Sequence, residues 1–251
     1  MENDFQDWEK VRRKPVAILG AGVSGRGVGA LLDRIKWKYE TYDELGRDFG
    51  YTEARACSLV VFSPGFTMDH PWLELARENY IPVMGETDFG ACFLDNPVIA
   101  ITGTNGKTSC SQFLSQTLTA LGYKCGVIGT LGYGISGELQ ETQLTTPDAV
   151  FTQSALARMH CEDINPIAME VSSVGLHQKR VSSVLFDTAI FTNLTRDHLD
   201  YHETMEAYGE NKKKLFMMPG LKTAIVNLDD SFALSIINSV SSDVEVLTYS
   251  L

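Results

Sequence analysis

The sequence has no long apolar run. Stretches such as Val16–Leu19 and Pro97–Ile101 fall far short of the ~20 residues a membrane helix needs. The amino-terminal segment Glu2–Lys14 is charged and lacks an apolar signal core, so a soluble, unexported protein is the default and the cytoplasm its expected place. Positive charge is also in short supply. Lys and Arg number 21 against 32 Asp and Glu, a formal charge of −11, which argues against a broad phosphate-backbone surface and against nucleic acid as a partner. Cysteine is sparse: Cys57, Cys92, Cys110, Cys125 and Cys161 are an odd, scattered set with no CxxC pair. Neither a disulfide framework nor a zinc site is suggested, in keeping with a reducing compartment. Internal repeats and low-complexity blocks are missing too.

What is present fits an α/β protein. At 251 residues the chain has room for one large or two ordinary domains. Short β-rich apolar runs alternate with helical patterns from end to end, as parallel sheets require. The expected strands are Val16–Leu19, Tyr39–Tyr42, Leu59–Phe62, Val98–Thr102, Gly126–Ile128, Ile167–Val171, Thr188–Phe191 and Ala224–Asn227. A helix over Lys107–Leu121 is expected to pack Phe113, Leu114, Leu118 and Leu121 on a sheet before Gly122 ends it. Thr146-Pro147-Asp148 reads as a helix start, with Thr146 as N-cap and the helix running to Met159. The segment Phe93–Pro97 is the expected linker, giving domains over 1–93 and 97–251.

Two glycine-rich loops compete to define the function. The first, Gly20-Ala21-Gly22-Val23-Ser24-Gly25, follows a strand, and Asp43 ends the next strand about twenty residues on, the spacing of a dinucleotide fingerprint. An NAD-dependent oxidoreductase is one reading, and a glycine-rich turn without a ligand is another. The second loop, Gly103-Thr104-Asn105-Gly106-Lys107-Thr108, also follows a strand and opens a helix. Its backbone N–H groups would cradle phosphates, Lys107 would neutralise them and the Thr108 hydroxyl would coordinate Mg²⁺. Ile101 occupies the usual first glycine position, which points to a variant P-loop. Glu170, at a strand end beside Ser172 and Ser173, stands where P-loop proteins place an acid that holds Mg²⁺, or is simply solvated. The segment Asn193–His202 concentrates Asp and His, as a metal site or as a polar loop. The run Lys212-Lys213-Lys214 would ordinarily be a solvated helix face.

At these residues the sequence resembles the Mur ligases, the ATP-dependent amide-forming enzymes of peptidoglycan synthesis. Ile101–Thr108 is similar to the family's P-loop. Glu170-Val171-Ser172-Ser173, then Asn193–His202, then Lys212 with Leu215-Phe216, follow in the family's order. The central motifs, including Gly126–Gly132, Thr145–Asp148, Met169–Leu176 and Phe191–Tyr208, look like the MurE type, which adds the third residue of the stem peptide. The front half, with Gly20–Gly25, Asp43, Ser63-Pro64-Gly65 and Gly85-Glu86, looks like the UDP-binding domain of the MurD type, the D-glutamate ligase.

The resemblance implies a Rossmann-like UDP-sugar-binding domain followed by an ATPase-type α/β domain. The family's third, carboxy-terminal domain would have no counterpart here, so that the chain is expected to be part of a longer enzyme. It implies ATP and Mg²⁺, with Gly103, Thr104, Asn105, Gly106, Lys107, Thr108 and Ser109 around the nucleotide. Thr108 and Glu170 would hold one Mg²⁺; His198 and Lys212, the latter as a carbamate, would hold another. Thr145, Thr146, Ser172 and Arg180 would contact a UDP-N-acetylmuramoyl-peptide, and Val23, Ser24, Asp43 and Gly65 its UDP part. A monomer is the default. Val174 stands where MurE-type enzymes usually carry His, and His177 need not replace it. The alternatives are a D-glutamate-adding ligase, an NAD-dependent oxidoreductase and a non-catalytic binding fragment.

Overall fold

A computed structural model describes residues 8–135 and 137–250. The chain divides into two compact units, Met1–Phe93 and Leu94–Leu251.

The first unit runs α1 (Trp8–Val11), β1 (Val16–Leu19), α2 (Val23–Arg34), β2 (Tyr39–Tyr42), α3 (Tyr51–Ala56), β3 (Leu59–Phe62), α4 (Pro71–Glu78), β4 (Val83–Gly85) and α5 (Glu86–Ala91). Its strands form a parallel sheet in the order β2-β1-β3-β4. Alternate side chains of β1 and β3 enter opposite cores. Val16, Ile18, Leu59 and Val61 pack with Val28, Leu32 and Phe89, while Ala17, Leu19 and Val60 pack with Tyr42, Phe49 and Leu73. Burial on both faces is why these strands read as continuous apolar runs.

The second unit runs β5 (Val98–Thr102), α6 (Lys107–Ala120), β6 (Gly126–Gly129), β7 (Gly132–Ile135), α7 (Ala149–Cys161), β8 (Ile167–Glu170), α8 (Ser173–His177), β9 (Thr188–Phe191), α9 (Leu199–His202), α10 (Met205–Lys213), a 3₁₀ turn (Lys214–Met217), β10 (Thr223–Asn227), α11 (Ala233–Ile237) and β11 (Glu245–Tyr249). Its sheet has the order β11-β10-β9-β5-β8-β6-β7, all parallel except the β6–β7 hairpin. The larger core lies on one face, where Val98, Ala100, Ile167, Met169, Ala189 and Phe191 meet Leu156, Met159, Leu176 and Phe216. A smaller cluster of Ile101, Ala168 and Ile190, with Cys110 and Leu114 against it, lies under α6.

Two local expectations are corrected. The sheet-facing side of α6 carries Ser111 and Ser115, both fully buried, whereas Phe113 and Leu121 are 67% and 69% exposed. The helix leaves the glycine loop with Lys107 and Thr108 turned toward the loop and the neighbouring strand end. That anchor sets its rotation, and the small serines allow close approach to the sheet. Thr146 is not an N-cap. Asp148 caps α7 by accepting from Phe151 N–H at 2.9 Å, while the buried Thr146 hydroxyl donates to Glu170 O and accepts from Ser172 N–H. Strands β4, β7 and β11 escape the apolar-run criterion because they are respectively three residues long, glycine-rich and largely exposed.

Candidate functional site

Ligands of open α/β sheets bind beyond the carboxyl ends of the strands. In the second unit the central strand β5 ends at Thr102 and its neighbours end on either side, Phe191 of β9 and Glu170 of β8, with Gly129 of β6 next in the row. The loop Gly103–Gly106 therefore lies between two strand ends that can grip it. Gly103 has φ +155°, and a Cβ there would lie 1.9 Å from Thr192 Oγ1, so only glycine fits. Asn193 accepts from Thr104 N–H through its backbone carbonyl and from Asn105 N–H through Oδ1. Thr192 Oγ1 donates to Asn105 O at 2.7 Å. Thr104 Oγ1 accepts from Thr195 N–H and lies 3.2 Å from the Tyr208 hydroxyl.

Two lysines converge on this loop. Lys107 Nζ donates to Gly103 O at 2.9 Å and Thr104 O at 3.0 Å, and Lys212 Nζ donates to Gly103 O at 2.8 Å. Far from lying on a solvated face, Lys212 is 1% exposed, with its ammonium 4.4 Å from the Tyr208 ring centroid. Burial pushes the Lys212 pKa down to about 7, with the Lys107 charge adding to the effect and Asp197 opposing it. Burial also lowers Lys107, against the attraction of Glu170 and Asp197. Two cations sharing one carbonyl repel, and the more buried one is the readier to lose its proton.

Glu170 is 1% exposed and its carboxylate is held by three donors. Thr108 Oγ1 donates to Oε2 at 2.9 Å, Thr130 Oγ1 to the same oxygen at 3.0 Å, and Thr130 N–H to Oε1 at 3.1 Å. Thr108 and Glu170 thus meet, and their hydroxyl and carboxylate oxygens are the hard donors Mg²⁺ prefers. Mg²⁺ characteristically takes one or two carboxylates and completes its shell with phosphates and water. Among the described residues no group of three or more His, Cys, Asp and Glu is placed to hold a metal, so the Asn193–His202 segment does not assemble such a cluster by itself.

His198 is half-exposed in the left-handed region at φ 51°, with Nε2 3.6 Å from Asp197 Oδ2. Its ring centroid is 6.0 Å from that of Tyr208, the ring that also carries Lys212. Lys212 as an ammonium is a donor only and could ligate a cation only after conversion to an oxygen-bearing group. His202 turns inward, 2.9 Å from Ser173 Oγ; burial lowers its pKa, as do the charges of His177, His198 and Lys212. His177 lies 2.8 Å from the Tyr201 hydroxyl.

The peptide-contact candidates share one strand-end cluster. Thr145 Oγ1 is 3.0 Å from Thr130 Oγ1. Ser172 Oγ caps α8 by accepting from Gly175 N–H, and Arg180 donates through Nη1 to Thr146 O at 2.8 Å and through Nε to Gln178 Oε1. Ser109 is exposed on the first turn of α6. Thr130, Thr192, Asn193 and Tyr208 fall inside segments that the family resemblance singled out, but sequence reasoning gave them no role, since no local pattern marks what they touch.

In the first unit the row of strand ends carries Asp43 after β2, Gly20 after β1 and Ser63 after β3. Gly20 has φ +109°. Asp43 Oδ2 accepts from Ala21 N–H at 2.8 Å and Oδ1 from Leu45 N–H at 3.1 Å, which holds its carboxyl below the usual range. Val23, 81% exposed, opens α2 with Ser24 beside it, and Gly65 is exposed.

A glycine loop after a central parallel strand, a lysine and threonine opening the next helix, and an acid at the adjacent strand end define a P-loop-type α/β unit. The family model of the Mur ligase middle domain matches residues 101–251, and the chain belongs to the Mur ligase family. It is 50% identical over 168 residues to UDP-N-acetylmuramoyl-L-alanyl-D-glutamate–2,6-diaminopimelate ligase of Coxiella burnetii, covering 65% of this chain and 34% of that protein. The protein of the same name from Chromobacterium violaceum is 52% identical over 158 residues, with 62% and 32% covered. A solved structure of a UDP-N-acetylmuramoyl-L-alanyl-D-glutamate–2,6-diaminopimelate ligase superposes with a TM-score of 0.62 at 31% identity, over 79% of this chain and 47% of that one. Escherichia coli FolC in complex with DHPP and ADP shares the fold, with a TM-score of 0.51 at 20% identity over 64% and 45% of the two chains. The chain spans about a third of the length of the curated relatives it matches.

Proposed function

We propose that this chain carries the nucleotide- and peptide-binding parts of an ATP-dependent amide ligase of peptidoglycan precursor synthesis, one that adds a diamino acid to UDP-N-acetylmuramoyl-L-alanyl-D-glutamate. The observation that carries the reading is the meeting of the Thr108 hydroxyl with the buried Glu170 carboxylate at 2.9 Å, beside a glycine loop on which Lys107 and Lys212 converge. The names of the relatives at about 50% identity supply the substrate class.

In this reading ATP phosphorylates the terminal carboxylate of the muramoyl-dipeptide, and the amine of the incoming amino acid attacks the acyl phosphate and displaces phosphate. A carboxylate must approach a triphosphate, so like-charge repulsion is the obstacle and local cations the remedy. The loop amides of Gly103–Ser109 receive the phosphates, and Lys107 leaves the loop carbonyls for them. Mg²⁺ held by Thr108 and Glu170 would neutralise charge on the phosphates. Lys212, with its proton held weakly, is suited to give up that proton as H⁺ and then take up CO₂ with release of a second H⁺; the resulting carbamate would replace a repelling cation with an oxygen ligand beside His198 for a second Mg²⁺. Thr146, its hydroxyl spent on Glu170 O and Ser172 N–H, supports the substrate cluster from behind. Thr145, Ser172 and Arg180 face the peptide. Val23, Ser24, Asp43 and Gly65 take the UDP moiety. Among the described residues no helix is long and apolar enough to cross a membrane, and a cytoplasmic monomer belongs to the same reading.

The test is phosphate release from ATP and Mg²⁺ with the UDP-muramoyl-dipeptide. Release that requires a diamino acid is expected. Release that requires D-glutamate and UDP-muramoyl-L-alanine instead would make it a MurD-type ligase. Nucleotide binding without turnover in either mixture would leave a binding module. Calorimetric binding of NAD at Gly20–Gly25 would favour the oxidoreductase.

A further inference from the structure

The relation of Glu170 to the strand next door has no counterpart in the P-loop pattern. Strand β6 ends at Gly129, directly beside β8, and a Cβ on Gly129 would lie 2.2 Å from Glu170 Oε1. The carboxylate therefore rests against bare backbone at the β6 end. The next residue, Thr130, grips it from both sides, with N–H to Oε1 at 3.1 Å and Oγ1 to Oε2 at 3.0 Å. The direction of the second bond is fixed, because a carboxylate only accepts. The Thr130 hydroxyl, having given its one proton to Glu170, must accept from Thr145 Oγ1 at 3.0 Å. A one-way chain, Thr145 to Thr130 to Glu170, results.

We propose that Thr130 is a positioning residue: it holds the Glu170 carboxylate in the orientation that presents it, next to the Thr108 hydroxyl, to a divalent cation on the bound nucleotide. Thr108 touches only Oε2, so replacing the Thr130 side chain leaves that oxygen on a single donor while the backbone N–H stays on Oε1, and the carboxylate is freer to rotate about its last bond. Its identity as an acid would survive and its aim would not. Groups that orient a metal-binding side chain typically matter about 10–100-fold in metal affinity. Thr130 itself is exposed, so its replacement leaves the core untouched. The inference rests on the nucleotide-binding reading above.

The experiment is calorimetric titration of the whole chain with a non-hydrolysable ATP analogue, in excess Mg²⁺ and in EDTA, for wild type, Thr130→Val and Thr130→Ser. The quantity read is the gain in affinity that Mg²⁺ confers. Thr130→Val is expected to keep the EDTA affinity and to lose about tenfold or more of the Mg²⁺ gain, and Thr130→Ser, which restores the hydroxyl, to recover it. A full Mg²⁺ gain in Thr130→Val overturns the proposal. So does an equal loss with and without Mg²⁺, the mark of a merely structural role, and so does a Thr130→Ser variant as impaired as Thr130→Val. Should Thr130→Val fail to fold, Thr130→Ala is read in its place, and failure of both makes Thr130 structural. A wild-type chain that binds the analogue with no Mg²⁺ gain, or not at all, defeats the nucleotide reading itself, an outcome visible before any variant is measured.

Discussion

The two units solve the same backbone problem and differ in the charge they bring to it. In each, a glycine with left-handed φ follows a parallel strand, and a hydroxyl residue from the next strand end presses on it: Ser63 on Gly20 in the first unit, Thr192 on Gly103 in the second. Around Gly20 what meets the loop residue Ala21 is one acid on its N–H, Asp43, and one exposed cation on its carbonyl, Arg26. Around Gly103 it is a pair of lysines, one of them buried. A chain with a formal charge of −11 thus gathers two cations at one loop and sets an acid against a single exposed arginine at the other. Glycine patterns alone report a close approach of backbone to ligand. In the proposed reading the charge beside them reports how anionic that ligand is, with the lysine loop taking the triphosphate and the Asp43 loop the less charged sugar nucleotide.

The largest effect that would break this contrast is on nucleotide affinity. Lys107→Ala removes a half-buried cation at the loop and is expected to weaken ATP binding by at least about thirtyfold, from the roughly 2–5 kcal/mol lost when one partner of a buried charge pair is truncated. The counterpart in the first unit is Arg26→Ala, which loses only an exposed bond to Ala21 O and should leave ATP affinity unchanged. Calorimetry on both variants decides. Equal losses, or none in Lys107→Ala, would mean that the second loop is not the triphosphate site.

The next effect is on stability. Gly103→Ala and Gly20→Ala both force a side chain into left-handed backbone, at about 1–3 kcal/mol each, but their collisions differ. At Gly103 the new Cβ would meet Thr192 Oγ1 at 1.9 Å and backbone N of Asn193 at 3.0 Å; at Gly20 it would meet Ser63 Oγ at 2.8 Å, which can turn away, and Ser63 Cβ at 3.0 Å, a milder collision. Gly103→Ala should therefore lower the urea midpoint further. The reverse order would show the second loop to be the more yielding of the two.

How far this could be read from sequence follows the distance over which each feature is built. The glycine loops and the strands before them are local, and the apolar runs Val16–Leu19, Val98–Thr102 and Thr188–Phe191 mark strands because their sheets are buried on both faces. The adjacency of Thr108 to Glu170 is foreshadowed by a strand-end acid, since parallel strands deliver their carboxyl ends to one edge. The contacts of Thr130 and Tyr208 were not legible, although both residues lie in segments that the family resemblance marked. The first meets Glu170 across forty residues and the second meets Thr104 across 104, and nothing in their neighbours says so. Thr146 misled for a related reason: its hydroxyl has a long-range use that outweighs capping. In Lys212-Lys213-Lys214 composition suggests solvent, yet helix rotation buries the first, and only the family resemblance singled it out.

The smallest effects are in pH, and here the two loops should respond in separate windows, Lys212 at neutral to alkaline pH and Asp43 in acid. Lys212 releases its proton near about 7 in the folded chain and near its ordinary 10.5 when unfolded. Between those values the unfolded state holds more protons, so stability rises with pH, by at most about 1.4 kcal/mol per unit. Below 7 both states are protonated and the full cost of the buried charge remains. Asp43 shifts in the same direction for the opposite reason: hydrogen bonds from Ala21 and Leu45 favour its charged form and lower its pKa below 3.8. Its contribution is complete above 3.8 and is lost as the pH falls through the lower, folded value. Urea midpoints measured against pH for wild type, Lys212→Met and Asp43→Asn separate the two. The difference between wild type and Lys212→Met should change from pH 7 upward, with wild type gaining. The difference between wild type and Asp43→Asn should be level at neutral pH and shrink only in acid. A Lys212 difference that stays flat from pH 7 to 9 would mean that the lysine keeps its proton in the fold. It would then be an ordinary buried cation, and the contrast between the loops would reduce to the sign of charge alone.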